Sequence, residues 1–278
     1  MFLSFSWYYP ATYEYIERLL NTEYFDHDNF YIFLNSPEEL EMFNRDFPGR
    51  HAHYVSNCIW IDDEAFTVLP LCNAGERPYD AVLNAKAASF KNHHLAKEVD
   101  NLCLICEGVS DAVDQICEEL DPVYISNTTL LYEDIGFLVN KSYVGLMLSE
   151  EEGACYASAE YLACGVPVVS VESRGGRHVF YNDDNSMICD ADPESVADAV
   201  AVMKQRMING EICPQNIRDK FLSDIGVHRQ SFVAVLQSVF DRFGVPENAL
   251  TYLETIAGAV KSGDVRINNA NVFYSQYV

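Results

Sequence analysis

Short apolar runs alternate along the chain with longer stretches in which apolar residues recur every three or four positions. The short runs are typical of buried strands, and the longer stretches are typical of amphipathic helices. Strands that alternate with helices predict βαβ units and a parallel sheet. From residue 79 onward, the pattern predicts strands at 80–84, 102–106, 123–125, 144–148 and 166–170, and helices at 92–98, 110–120, 132–140 and 154–164.

The two flanking regions have different patterns. The N-terminal region predicts a helix near residues 13–20 and then a small βαβ unit, with strands at 30–34 and 53–55 and a helix at 37–47. The C-terminal region predicts helices at 192–203, 229–243 and 248–261, and its last residues carry no clear signal. We therefore predict an abbreviated N-terminal α/β unit at 1–75, a doubly wound α/β domain at 76–225 and a C-terminal helical extension at 226–278.

The charge of the chain restricts its ligands. The chain has 278 residues, of which 49% are hydrophobic, as in an ordinary globular protein. Its 42 Asp and Glu residues outnumber its 18 Lys and Arg residues, which gives a formal net charge of −24. This charge repels nucleic-acid backbones and anionic lipid surfaces, so it argues against a nucleic-acid partner. An anionic ligand would need a local cluster of the few cationic side chains.

The cysteines and the absence of targeting signals indicate a location. The nine cysteines are irregularly spaced, and Cys103 and Cys106 fall in an apolar run that predicts a buried strand rather than half of a metal site. The sequence shows no basic leader and no uncharged apolar run long enough to span a membrane. We therefore expect a cytoplasmic protein with reduced cysteines and no membrane span.

The segment from Ser149 to Pro167 holds the strongest chemical signal. Its predicted helix begins at the carboxyl edge of a parallel sheet, where open α/β sheets bind ligands. The backbone N–H groups of residues 153–155, together with the helix dipole, predict an anion site. Glu152 and Glu160 lie at most about 12 Å apart along a helix axis. That separation suits a ligand with a hydroxyl-rich group at each end and a diphosphate between them.

The same segment carries a resemblance to a known family. Glu152, seven intervening residues and Glu160, followed by a glycine and a valine-rich strand, resemble the donor-site motif of retaining GT-B glycosyltransferases, particularly family 4. Gly175 and Gly176 fit the same pattern. The pair Lys86 and Lys91 resembles the family's basic-x4-basic signature, in which the first basic residue is usually arginine. A lysine at that position keeps the charge but lacks the two-pronged guanidinium.

The resemblance implies a fold, an activity and roles for residues. It implies a GT-B-like fold with a Rossmann-like donor domain, and transfer of a sugar from a nucleotide-diphosphate sugar with retained stereochemistry. Glu152, Lys86 and Lys91 are the catalytic candidates; Glu152 would contact the sugar and Glu160 the ribose. We expect no metal and no further cofactor. The donor-binding candidates are Gly153, Ala154, Cys155, Glu160, Arg174, Gly175, Gly176, Arg177, Asn127, Thr128 and Leu131.

The charges support this interpretation without the resemblance. Lys86, Lys91, Arg174 and Arg177 all fall on predicted loops at strand ends and would form the cationic cluster that a diphosphate needs. Each residue also has an ordinary alternative, because glutamate triplets, lysines and arginines commonly lie on solvated loops, and paired glycines commonly form turns.

The short N-terminal region leaves several possibilities open. Too few residues precede the donor-like domain for a complete acceptor domain, so the chain is a minimal enzyme, a chain completed by a partner or a second copy, or a relic that binds a nucleotide sugar. The acceptor is an unidentified glycan, lipid or protein. The alternative function is a non-catalytic nucleotide-sugar-binding or scaffolding subunit, and an epimerase is a third possibility. The aromatic cluster at Phe2, Phe5, Trp7, Tyr8 and Tyr9 suits either an interface or the core of the small unit.

Overall fold

The computed structural model describes residues 2–4, 7–21, 29–70, 77–252 and 271–273, with backbone alone for the first and last of these ranges. The described strands are β1 (Phe2–Ser4), β2 (Tyr31–Leu34), β3 (His51–Tyr54), β4 (Tyr79–Asn84), β5 (Leu102–Ile105), β6 (Tyr124–Ser126), β7 (Ser142–Met147), β8 (Val168–Val171), β9 (Ser186–Cys189) and β10 (Asn271–Phe273). The described helices are α1 (Tyr9–Leu20), α2 (Pro37–Asp46), α3 (Ser110–Leu120), α4 (Tyr132–Asn140), α5 (Tyr156–Ala163), α6 (Pro193–Ile208) and α7 (Pro214–Phe243).

The first sheet has the order β10-β1-β2-β3, and only β10 runs antiparallel to its neighbour. The predicted βαβ unit is confirmed as β2, α2 and β3. The helix begins where the sequence predicts it, because Ser36 accepts a hydrogen bond from the Glu39 N–H and Pro37 occupies the first turn. Tyr9 is 1% exposed and belongs to the core of this sheet. The side chains of Phe2 and Phe5 lie outside the described residues.

The second sheet contains six parallel strands in the order β6-β5-β4-β7-β8-β9. In chain order this is the 3-2-1-4-5-6 arrangement of a Rossmann-like domain, so the predicted parallel α/β fold is confirmed. Strand β4 lies at the centre, where Val82 pairs with Cys103 on one side and with Gly145 on the other. The strand order therefore reverses between β4 and β7, and ligands of such folds bind outside the carboxyl ends of these strands.

Two groups of helices pack against the second sheet. Helix α6 contacts β4, β7, β8 and β9, whereas α5 contacts β7 and β8 together with α4 and α7. The close approach of α5 depends on Gly145, because a Cβ atom at that position would lie 2.2 Å from the Tyr161 ring. The Tyr161 hydroxyl in turn accepts a hydrogen bond of 2.8 Å from the Asn84 N–H at the end of β4. Tyr161 therefore fixes α5 to the switch point of the sheet.

Helix α7 joins the two units. Arg229 donates from Nε to the Ile59 carbonyl oxygen at 2.9 Å and from a terminal nitrogen to the Asp63 carboxylate at 2.9 Å. Phe232 on the same helix packs against Phe33 of the first sheet. The predicted helix at 229–243 is the second half of α7, and the predicted boundary at residue 225 falls inside this helix. Strand β10, in the predicted helical extension, pairs with β1.

Other local predictions differ from the structure. The predicted helix at 92–98 is replaced by two 3₁₀ turns, at Ser89–Lys91 and His93–Ala96, because Asn92 lies between them in the left-handed region at φ +50°. The pattern missed β1, β9 and β10, three short strands at or near sheet edges, where burial produces little periodicity. Most of the predicted helix at 248–261 lies outside the described residues.

Two further expectations concern the core and the membrane. Cys103 and Cys106 are both 0% exposed, as the apolar run around them predicts. Among the described residues, no helix combines the length and the apolarity needed to cross a membrane.

Candidate active site

The loops that follow β4 and β7 form the candidate site. Asn84 ends β4, and the segment from Ser149 to Cys155 connects β7 to α5. The loop after β8, which contains Arg174 and Gly175, runs beside this segment. The parallel sheet therefore brings residues that are up to about ninety positions apart in sequence to one edge, as expected at a switch point.

Glu152 is buried and paired with a lysine. Its side chain is 6% exposed, and its Oε1 contacts the ammonium group of Lys91, whose side chain is 17% exposed. The Ser149 hydroxyl donates to the same carboxylate oxygen at 2.6 Å. The Glu–x7–Glu segment and the Lys–x4–Lys segment therefore meet at this ion pair, which supplies the positive partner that a buried carboxylate requires.

Arg177 lies beneath this pair. It is 1% exposed, and its terminal nitrogens donate to the Ser149 hydroxyl at 2.9 Å, the Ser170 hydroxyl at 3.1 Å and the Val171 carbonyl oxygen at 2.9 Å. Its Nε has no hydrogen-bond partner within the described part of the chain. Because Ser149 bonds both Arg177 and Glu152, the guanidinium acts on the carboxylate through a hydroxyl. Arg177 therefore supports the site from below and is not exposed to a ligand at the loop surface.

Two glycines allow the loop after β8 to lie against Glu152. Backbone hydrogen bonds join the two loops, from the Glu152 N–H to the Arg174 carbonyl oxygen at 3.1 Å and from the Gly176 N–H to the Gly153 carbonyl oxygen at 3.0 Å. Gly175 adopts φ +105°, and a Cβ atom there would lie 1.7 Å from the Glu152 carbonyl oxygen. A Cβ at Gly176 would lie 2.4 Å from Asn35. Both positions therefore require glycine for close packing.

Glu160 lies in the middle of α5 in a different environment. It is 9% exposed, and the Asn84 side-chain amide donates to its Oε2 at 2.9 Å. Burial is the larger influence and raises the pKa of Glu160 to about 7, although the Asn84 hydrogen bond acts in the opposite direction. A carboxyl group with such a pKa changes protonation state near neutral pH.

The N-terminus of α5 contacts the first unit. Cys155 precedes the helix at φ +57°, and Ala154 is 3% exposed. The carbonyl oxygen of Ala154 accepts a hydrogen bond of 3.3 Å from the Cys58 thiol, and the Tyr156 hydroxyl donates to the Asn57 carbonyl oxygen at 3.0 Å. Burial raises the pKa of the Cys155 thiol to about 11, so this thiol is protonated at neutral pH.

The remaining candidates lie at the rim. Arg174 has a side chain that is 68% exposed and pairs with Glu151 at 3.1 Å. Lys86 is exposed on the loop after β4. Asn127, Thr128 and Leu131 follow β6 and are all exposed, with Leu131 at 70%. The structure therefore joins Lys91, Glu152 and Arg177 in one hydrogen-bonded network and leaves these rim residues outside it.

Two residues of the site were missed by the sequence analysis. Asn84 holds Glu160, and its position at the carboxyl end of a central predicted strand is a signal that could have identified it. Ser149 bridges Glu152 and Arg177, and the sequence offers no comparable signal because a serine before three glutamates is also typical of a solvated loop.

Comparison with known proteins gives a family match for part of the chain. Residues 80–205 match the family model described as glycosyl transferases group 1, a segment somewhat shorter than half of the chain. That segment contains all of β4 except its first residue, β5 to β9, and the network of Lys91, Glu152 and Arg177. No curated protein matches the chain significantly in sequence.

Solved structures share the fold at low sequence identity. Sucrose-phosphate synthase from Thermosynechococcus elongatus matches with a TM-score of 0.62 and 13% identity over 82% of this chain and 62% of that one. HepE from Anabaena, solved with UDP, matches with a TM-score of 0.60 and 16% identity over 82% and 75%. A glycosyltransferase from Rickettsia africae matches with a TM-score of 0.60 and 13% identity over 81% and 67%.

These matches confirm the fold expected from the sequence. The chain has a GT-B fold and resembles group 1 glycosyltransferases over residues 80–205. It spans less than two thirds of the length of the sucrose-phosphate synthase that it matches.

Proposed function

We propose that this GT-B chain, whose residues 80–205 match group 1 glycosyltransferases, transfers a sugar from a nucleotide-diphosphate sugar to an acceptor. The observation that carries the proposal is the buried pair of Lys91 and Glu152 at the switch point of the second sheet, on the same segment as the buried Glu160. The two carboxylates, Glu152 and Glu160, match the hydroxyl-rich groups at the two ends of such a ligand. The Lys91 ammonium matches the diphosphate between them.

The donor would extend along the segment from Glu152 to Glu160. The Glu160 carboxylate would accept hydrogen bonds from the ribose hydroxyls, oriented by the amide of Asn84. The diphosphate would lie near Lys91 and the N-terminus of α5, with Lys86 and Arg174 at the rim. The transferred sugar would contact Glu152. Asn127, Thr128 and Leu131, exposed after β6, would contact the base.

The catalytic contribution of these groups is electrostatic. Cleavage of the sugar–phosphate bond develops negative charge on the leaving diphosphate, and the Lys91 ammonium together with the N–H groups of the helix would stabilise that charge. Arg177 and Ser149 hold Glu152 in place while Lys91 interacts with the diphosphate. Retention of stereochemistry and independence from metal ions are part of the proposal and rest on the family resemblance. Several buried cysteines without disulfides support a cytoplasmic location.

Nucleotide binding is tested first, by thermal shift and titration calorimetry with UDP, GDP and ADP and their sugar conjugates. UDP leads the panel because the HepE structure was solved with it. One nucleotide should raise the melting temperature by mass action, with and without magnesium. Glu160→Ala should weaken its binding by about 1–3 kcal/mol, roughly 5- to 150-fold, through loss of the ribose hydrogen bonds. Unchanged affinity in this variant would remove Glu160 from the site.

Turnover separates an enzyme from a binding subunit. Slow hydrolysis of the donor should be measurable without an acceptor and should be lost in Glu152→Ala. Glu150→Ala is the matched control, because this glutamate lies two residues away on the same loop and is exposed. Tight nucleotide binding with no hydrolysis at all would instead support the non-catalytic subunit, and conversion of the donor into an isomer would support an epimerase.

A further inference from the structure

Two aromatic residues of the first unit contact the loops of the candidate site. Trp7 donates from Nε1 to the Glu151 carboxylate at 3.0 Å, and its ring meets the Phe90 ring edge-on with centroids 5.0 Å apart. The Tyr8 ring lies 5.9 Å from the Arg174 guanidinium. Trp7 and Tyr8 therefore contact the second domain of the same chain, while Tyr9 enters the core of the first sheet.

A buried carboxylate fixes this aromatic segment. Glu39 is 1% exposed and accepts hydrogen bonds from the Tyr9 N–H at 2.8 Å and from the Asn35 N–H at 2.9 Å. The Asn35 side-chain oxygen also accepts a hydrogen bond of 2.8 Å from the Asn57 N–H. The backbone immediately after Trp7 and Tyr8 is therefore held from within the protein.

The rings border the Lys91 and Glu152 pair. Phe90 precedes Lys91 in sequence, and the Lys91 ammonium lies 5.2 Å from the centroid of the Phe90 ring. Glu151, the partner of Trp7, precedes Glu152. A Cβ atom at Gly175 would lie 3.5 Å from the Tyr8 ring, which places that ring beside the loop after β8. The aromatic side chains therefore lie on the side of the pair that faces the first unit.

The chemistry of this border is suited to a sugar. Phe90 is 45% exposed although it is a large apolar ring, and the Trp7 and Tyr8 side chains are partly exposed. A pyranose ring has apolar C–H faces, which pack on aromatic rings, and a hydroxyl-bearing edge, which bonds to carboxylates and guanidinium groups such as those of Glu151 and Arg174. The net charge of −24 disfavours an acidic sugar chain.

We propose that Trp7, Tyr8 and Phe90 line an acceptor subsite for a neutral carbohydrate, next to the Lys91 and Glu152 pair. This inference rests on the proposed function, because it assigns the class of acceptor for the same site. Trp7 and Phe90 would pack against a face of the sugar ring, and Glu151 and Arg174 would bond to its hydroxyls.

Tryptophan fluorescence can test the subsite directly. The chain has two tryptophans, and Trp60 packs edge-on against Phe232 away from this border, so Trp60→Phe leaves Trp7 as the single emitter. This variant is screened on an array of neutral and sulfated glycans and then titrated with the glycans that bind. We expect a saturable change in Trp7 emission with a neutral glycan and none with sulfated ones.

Matched variants distinguish binding from a structural role of the rings. Phe90→Ala should weaken glycan binding by about tenfold or more, a typical loss for one aromatic contact, and should weaken nucleotide binding by a much smaller factor. Tyr15→Ala is the control, because Tyr15 is an aromatic residue of α1 in the first unit that is 55% exposed. Trp7→Ala, which removes the ring and the Glu151 hydrogen bond, should also weaken glycan binding and serves if Phe90→Ala unfolds.

Two results would overturn the subsite. One is the absence of binding to every neutral glycan by a protein that binds a nucleotide, and the other is equal glycan binding by Phe90→Ala, Tyr15→Ala and the parent. A protein that binds glycans through Trp7 but binds none of UDP, GDP and ADP would contradict the proposed donor site and leave the carbohydrate site standing.

Discussion

The two ends of the candidate site carry the same side chain in opposite electrostatic environments. At the Glu152 end, consisting of Lys91, Ser149, Glu152 and Arg177, the buried carboxylate is surrounded by an ammonium, a hydroxyl and, behind the hydroxyl, a guanidinium. At the Glu160 end, consisting of Asn84 and Glu160, one amide is the hydrogen-bond donor and burial raises the pKa to about 7.

This difference indicates that Glu152 and Glu160 would interact with a donor in different ways. The Glu152 carboxylate, already paired with an ammonium, would contact a developing positive charge on a sugar. Burial disfavours the ionised form of Glu160, so ionisation lowers the free energy of unfolding. Hydroxyl donors from a ligand would offset this loss. We therefore expect the Glu152 end to be organised before the donor binds and the Glu160 end to gain its missing hydrogen bonds from the donor.

The most damaging single change at the Glu152 end should be Gly175→Ala. Gly175 has φ +105° and ψ −162°, a region adopted almost only by glycine, and its Cβ would lie 1.7 Å from the Glu152 carbonyl oxygen. We expect a loss of roughly 4 kcal/mol in the free energy of unfolding, the combined cost of a non-glycine backbone and of overpacking. Urea denaturation measures this loss.

Gly210→Ala is the matched control for this change. Gly210 also has a positive φ, +72°, but no atom lies within 4 Å of its Cβ position, so the expected loss is only about 1 kcal/mol. Equal losses in the two variants would mean that the contact between the loop after β8 and Glu152 contributes little.

Removal of the Lys91 ammonium should cause the next largest loss in the free energy of unfolding. Lys91→Met leaves the Glu152 carboxylate buried without its ammonium, and we expect the free energy of unfolding to fall by about 3 kcal/mol at pH 8. Lys97→Met, at an exposed lysine whose carboxylate partner is also exposed, should change it by less than about 0.5 kcal/mol. The double variant Lys91→Met with Glu152→Gln should recover most of the loss, and failure to recover would show that Lys91 does not act through Glu152.

The smallest expected change in the free energy of unfolding is at the Glu160 end, and there the substitution stabilises the fold. The folded pKa of Glu160, about 7, lies above the ordinary value of 4.5, so the folded state binds more protons between these pH values and the free energy of unfolding falls as pH rises through this range. Glu160→Gln removes the buried charge and should stabilise the fold by about 1–2 kcal/mol at pH 8.

Melting curves at pH 5 and pH 8 measure this difference. The stabilisation by Glu160→Gln should be small at pH 5 and larger at pH 8, while nucleotide affinity falls at both values. A stabilisation that is the same at both values would mean that Glu160 titrates normally, and the contrast between the two ends of the site would then not exist.

Much of the fold and part of the site follow from local sequence. Strands β5, β7 and β8 produce continuous apolar runs because both of their faces are buried, and α2 begins at a serine and a proline that act on the next few residues. The spacing of Glu152 and Glu160 places them on one segment, and the glycines at 175 and 176 lie where the pattern expects them. Strand β9 was missed because it is only four residues long, lies at a sheet edge and is only partly buried, so its apolar run is too short to predict a buried strand.

The amino-acid sequence by itself determined the alternation of strands and helices, and hence the parallel sheet and the segment at its carboxyl edge. Only the tertiary structure decided that Lys91 neutralises Glu152, that Arg177 lies beneath the site and that Trp7 and Phe90 meet at its border. The physical reason is that strand and helix patterns arise from neighbours in sequence, whereas burial, charge pairing and ring contacts join residues far apart in sequence, such as Trp7 and Glu151, which are 144 positions apart.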